Sequence, residues 1–217
     1  MEDMEIISLW KAQNARIDQS LTLNRKLLHE TLQQKARISL KGLRTIRWTG
    51  IILGIGWCIG IATLLLSSWP VSSVVFKISL GINFFVTAIA VGLYIYHLVL
   101  IHGFDNSQNI VTAQQKLSEL KVSNLKTLGV LWIQLPVFST WYMSVEWMQQ
   151  SPLSFWGIQV PIVLLQTLAG LWLYRNLNIR NHDKKWFRWF VSKGEFARIE
   201  KALEITKEME EFAKVSQ

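Results

Sequence analysis

Apolar positions along this chain gather into four long runs, with the charged residues between them. The runs extend from about Trp48 to Trp69, Ile78 to Ile101, Leu128 to Trp147 and Phe155 to Tyr174. Crossing a bilayer core takes roughly 20 apolar residues, and each run is of that order. A backbone in lipid must satisfy its own hydrogen bonds, so all four runs are expected to be helices. The pattern predicts an all-α membrane protein with four transmembrane helices. Its expected units are an N-terminal helix (1–47), a transmembrane hairpin (48–101), a connector helix (102–127), a second hairpin (128–175) and an interfacial and C-terminal helix (176–217).

The polar segments have helical patterns of their own. Residues 5–46 hold no Pro and no Gly before Gly42. A heptad frame places Ile7, Asn14, Leu21, Leu28 and Lys35 at one core position and Trp10, Ile17, Asn24, Thr31 and Ile38 at the other. The stripe through Trp10, Ile17, Leu21 and Leu28 is expected to pack lengthwise, by preference within the same chain. In the connector, Gly103 is expected to break the preceding span, and Asp105, Asn106 or Ser107 to cap a new helix ending near Leu125. Ile110, Ala113, Leu117, Leu120 and Asn124 then share a face. Near the C-terminus Phe196, Ile199, Leu203, Thr206 and Met209 do the same. Three one-sided helices predict a small bundle outside the bilayer. Before it, Trp186, Phe187, Trp189 and Phe190 alternate with Lys184, Lys185 and Arg188, as in a helix lying in the membrane interface.

Charge fixes the expected orientation. The net charge is +8, and of 23 Lys and Arg only Lys77 lies outside 1–47, 102–127 and 175–217. Four crossings put all three basic segments on one side, which the positive-inside rule makes the cytoplasm. The expected site is thus a bacterial cytoplasmic (inner) membrane with both termini inside. This bias already accounts for the basic character and makes nucleic acid an unneeded partner. The outer connections, about Pro70–Lys77 and Met148–Ser154, are too short for a ligand-binding domain. The single cysteine, Cys58, excludes an internal disulfide and a Cys-based zinc site.

Few residues suggest chemistry. Gly50/Gly54 and Gly56/Gly60 are two small-xxx-small motifs on different faces of the first span, for internal packing ahead of dimerisation. Gln134 and Pro136 in the third run are echoed by Gln159 and Pro161 in the fourth. Kinked helices with Gln as interhelical glue are preferred there to a transporter site. His97, His102, His182, Asp105 and Asp183 lie near the inner face, but the His97/His102 spacing does not share a helix face, so no metal is expected. No nucleophile, nucleotide or zinc motif is present, so no catalytic residue and no cofactor is assigned. No span is expected to carry a buried acid or base.

Ile7-Ser8-Leu9-Trp10-Lys11, the segment Phe104-Asp105-Asn106-Ser107 with Ala113–Lys121, Ile133-Gln134-Leu135-Pro136-Val137 and the charged Arg198–Ala202 helix are similar to a group of small four-pass membrane proteins of Bacteroidota. Members are often encoded beside extracytoplasmic-function sigma factors. The resemblance implies an anti-sigma-like regulatory role and no site residues. The sequence therefore favours a non-enzymatic membrane scaffold or regulator whose helical surface holds a cytoplasmic protein partner, with self-association as a further option. The alternative is a small transporter or channel built on the Pro-kinked helices.

Overall fold

The computed structural model describes residues 2–105, 109–181, 183–191 and 194–215, and nearly all of them are helical. The elements are α1 (Glu2–Ser68), α2 (Val74–Asp105), α3 (Ile110–Ile133), a 3₁₀ turn (Leu135–Ser139), α4 (Val145–Gln150), α5 (Pro152–Asn176), α6 (Lys185–Val191) and α7 (Glu195–Val215). Three of them are long and apolar enough to cross a membrane: the Gln13–Ser68 part of α1, α2 and α5.

The polar N-terminal segment and the first apolar run form one helix. No Pro interrupts the 67 residues of α1, which extends about 100 Å at 1.5 Å per residue. Gly103 does not break α2, which continues to Asp105. A glycine is tolerated inside a helix whose neighbours hold it, and here Phe104 is buried just beyond. The expected caps also differ. Asn109 caps α3 by accepting from the Val111 N–H at 2.9 Å. Asp105 instead pairs with Arg44 and Arg37 of α1. Asn106 and Ser107 lie outside the described residues.

At the polar end, four helices share a core. Leu32, Ala36, Leu40 and Leu43 of α1 meet Leu100, Ile101 and Phe104 of α2. Ala113, Leu117 and Leu120 of α3, and Ile199, Ala202, Ile205 and Met209 of α7, complete it, with Leu203 packed alongside. The expected stripes of α3 and α7 therefore find partners. The N-terminal stripe does not. Trp10, Ile17, Leu21 and Leu28 are exposed, Trp10 by 65% and Leu28 by 40%. Packing within the chain starts only at Leu32. The buried positions Leu32, Ala36, Leu40 and Leu43 also lie off the heptad frame, whose Thr31, Lys35 and Ile38 stay exposed, so the frame follows a face that the core does not use. Lengthwise packing of the stripe within the chain is thus corrected: its described side chains from Ile7 to Leu28 form an exposed arm.

The third apolar run is not one helix. α3, begun in the connector, ends at Ile133, because Pro136 lacks the N–H needed to continue the ladder. The chain then turns through 3₁₀ geometry and loop before α4. This irregular segment climbs beside α2. From α3, Ser123 bonds His97; from the segment beyond it, Gln134 bonds Asn83, Thr140 bonds Ser79 and Trp141 stacks on Phe76. The partners span from His97 back to Phe76 on α2, about 30 Å of helix. The echo in the fourth run takes a different form. Phe155–Gln159 is π-helical, directly before Pro161, and the helix then continues.

Candidate functional site

Under the four-helix core lies a layer of polar side chains. Its centre is Arg47 of α1, only 1% exposed. Arg47 continues the inward face of its helix, since Ala36, Leu40, Leu43 and Arg47 recur every three or four residues. Its guanidinium donates to Asn124 Oδ1 at 2.5 Å and to Glu195 Oε2 at 2.6 Å. It also lies 4.5 Å from the centre of the Tyr94 ring, a cation–π contact. One turn from Tyr94, His97 is fully buried and joined to Ser123 Oγ at 2.9 Å. Four helices thus contribute to one polar layer: Arg47 from α1, Tyr94 and His97 from α2, Ser123 and Asn124 from α3, and Glu195 from α7.

The layer fixes α7 by its first residue. Gly194 precedes it with φ +132°, in the region that favours glycine. That turn brings the Glu195 carboxylate to Arg47, where the N-terminus of α7 also favours negative charge. A buried ion pair holds register more than it stabilises, because desolvation offsets much of the attraction. Arg47 Nε, His97 Nδ1 and Asn124 Nδ2 are buried with no hydrogen-bond partner among the described residues. The sequence reading missed this layer, and its statement that no span carries a buried base is corrected for His97. The signal was there in spacing: Asn124 lies on the Leu117–Leu120 stripe, and His97 lies one turn before Leu100 and Ile101.

A second network lies among the apolar helices. Asn83 Oδ1 accepts from Trp57 Nε1 at 3.0 Å and from Gln134 Nε2 at 2.5 Å. Gln159 Nε2 donates to the Ser139 carbonyl at 2.5 Å, and the Tyr142 hydroxyl donates to Gln159 Oε1 at 3.2 Å. Ser139 Oγ donates to Gln166 Oε1 at 2.6 Å. Both glutamines therefore bridge elements, and Gln159 satisfies a carbonyl that the irregular segment leaves without a helical partner. Pro136 and Pro161 sit at the two breaks beside them.

The glycine motifs separate by face. A Cβ at Gly50 would run into Tyr94, and one at Gly54 would lie 2.5 Å from Val91 Cγ2, so this pair seats α1 on α2. Gly56 and Gly60 face open space. Gly60 lines an apolar groove of about 280 Å³ with Leu64, Leu80 and Phe138. Sequence reasoning missed two closer approaches. Gly129 lies against Tyr174, and a Cβ at Gly170 would stand 2.7 Å from the Trp132 carbonyl oxygen. Among the described residues no three His, Cys, Asp or Glu side chains gather as a metal site, and His182 lies outside them.

No family, no characterised protein and no solved structure matches this chain. What remains for partner recognition is the arm. Its described side chains from Ile7 to Leu28 are all exposed, and its apolar positions keep heptad spacing. The polar layer and the core beside it hold the rest of α1 in place, so the arm is a continuous extension of a fixed helix.

Proposed function

We propose that the chain is a non-enzymatic scaffold or regulator of a bacterial inner membrane that crosses it four times and holds a protein partner by the arm of α1. The observation that carries this reading is the exposed stripe Ile7, Trp10, Ile17, Leu21 and Leu28 on a helix rooted in a packed bundle. Isolated helices are marginal in water, and an apolar face gains its stability by burial. A partner helix in the groove beside this stripe would supply that burial. A sigma factor, as the resemblance implies, is one such partner. The amides that a transport path would use are bonded within the chain instead, Gln134 to Asn83 and Gln159 to the Ser139 carbonyl.

The bundle supports the four crossings. α1 before Leu43, the end of α2, the start of α3 and α7 share one core, so they lie on one side of any membrane. α1, α2 and α5 make three crossings, and a return to the same side needs a fourth. α3 and the irregular segment 134–144, which bonds to α2 and α5 through Gln134, Thr140 and Ser139, rise about 30 Å together and supply it. Non-helical backbone is tolerated at that depth where protein covers it. The test is purification from native membranes with and without Leu21→Ser/Leu28→Ser. A stoichiometric partner that co-purifies with the wild type and is lost from the variant is expected. A partner retained by the variant, or none with the wild type, would sink the reading.

A further inference from the structure

Away from the arm and the polar layer, α2, α3 and α5 enclose a cleft of about 510 Å³. Leu93 reaches it from the apolar run of α2, and Val130 from α3. Lys126 stands one turn before Val130, and Arg175 lies in the last turn of α5, next to Tyr174. Asn178, just beyond the end of α5, lines the same cleft. The floor is formed where α3 and α5 come together: a Cβ at Gly129 would lie 3.3 Å from Tyr174 Cδ2.

The charge here is uncompensated. Asp105, Glu195 and Glu200 pair with Arg37, Arg44, Arg47 and Lys121. Lys126 and Arg175 have neither an ion-pair nor a hydrogen-bond partner among the described residues. Both are exposed cations lining one cleft, so an anion that enters it is attracted by both. Leu93, Val122, Leu125 and Val130 make much of the remaining wall apolar, which a soluble anion does not use. Both cations also stand at the ends of apolar runs, the level at which lipid phosphates lie.

We propose that this cleft binds an anionic phospholipid, with the phosphate between Lys126 and Arg175 and an acyl chain along Leu93 and Val130. The inference rests on the membrane placement above, and its test reads the two separately. Full-length protein is reconstituted in vesicles of equimolar phosphatidylglycerol and phosphatidylcholine, purified in neutral detergent, and its retained lipid is quantified. The wild type is expected to retain phosphatidylglycerol in roughly tenfold excess. Lys126→Gln/Arg175→Gln should bring the ratio to about one, while Lys11→Gln/Arg16→Gln, an equal charge change on the arm, should leave it alone. Undiminished enrichment in the cleft variant would overturn the proposal, as would equal loss in the arm variant. Displacement of the lipid by millimolar glycerol phosphate would make this a site for a free phosphate and overturn the lipid assignment. Alkaline carbonate extraction reads the placement itself: release of the wild type would refute membrane insertion, whatever the lipid ratio.

Discussion

Arg47 shows why a residue's surroundings cannot be read from its type. Next to an apolar run, an arginine reads as a positive-inside anchor reaching for water. Here it occupies the next core position after Leu40 and Leu43, and Asn124, Tyr94 and Glu195 contact its guanidinium from three other helices. Deleting one member of a buried pair leaves the other charge stranded. Glu195→Ala is therefore expected to destabilise the protein by about 3 kcal/mol. Arg47→Met together with Glu195→Ala should cost less than Glu195→Ala alone, since the added change removes the stranded charge. Thermal unfolding in detergent, followed by the eleven tryptophans, measures both; a double variant weaker than the single one would contradict this account. Glycines give a second contrast. Gly170→Ala forces a methyl group onto the Trp132 carbonyl, a backbone atom that cannot swing aside, and should cost about 1–3 kcal/mol. Gly56→Ala meets open space and should change stability by under about 0.5 kcal/mol.

At the scale of elements, the sequence pattern located the stripes of α3 and α7 correctly because each has a partner within reach. Ala113, Leu117 and Leu120 face Ile199, Ala202 and Ile205, and periodicity alone points them there. Periodicity cannot say where packing stops. The heptad frame of α1 runs on through Thr31, Lys35 and Ile38, all exposed, whereas burial takes Leu32, Ala36 and Leu40 on a neighbouring face, the side where α2, α3 and α7 meet the helix. The break after Ile133 was legible as a proline but not as a helix end. Whether Pro136 kinks or terminates a helix depends on side chains such as Asn83 and Ser79 that hold the segment beyond it. These differences set an expected contrast between leucines of the bundle and leucines of the arm. Leu117→Ala, in the bundle core, should cost about 2–5 kcal/mol by cavity formation. Leu21→Ser/Leu28→Ser should change the unfolding midpoint of the purified chain hardly at all, since both side chains already meet water. A large loss from the arm variant in the purified, partner-free chain would mean that the stripe is covered by a second copy.

On the scale of the whole molecule, the bundle and the membrane crossings constrain each other. Four segments far apart in sequence share one core: the Leu32–Leu43 part of α1, the end of α2, the start of α3 and α7. α5 begins at Pro152 beside the short helix α4, at the end of the molecule where α1 and α2 turn. Getting from the core to Pro152 requires passage alongside α2, and the contacts of Ser123, Gln134, Thr140 and Trp141 trace that passage step by step. The passage uses hydrogen bonds between side chains in place of a regular helix, and hydropathy over a single helix does not register it. Single-cysteine labelling tests the arrangement. In a Cys58→Ser background, Ser151→Cys and Lys207→Cys both lie on exposed positions. An impermeant maleimide applied to intact spheroplasts should label the cysteine at 151 and reach the one at 207 only after the membrane is opened. Labelling at 207 but not at 151 from outside would mean that the irregular segment does not cross. The chain would then have three crossings, and a bundle containing both α7 and Leu32–Leu43 could not exist in the membrane-bound protein.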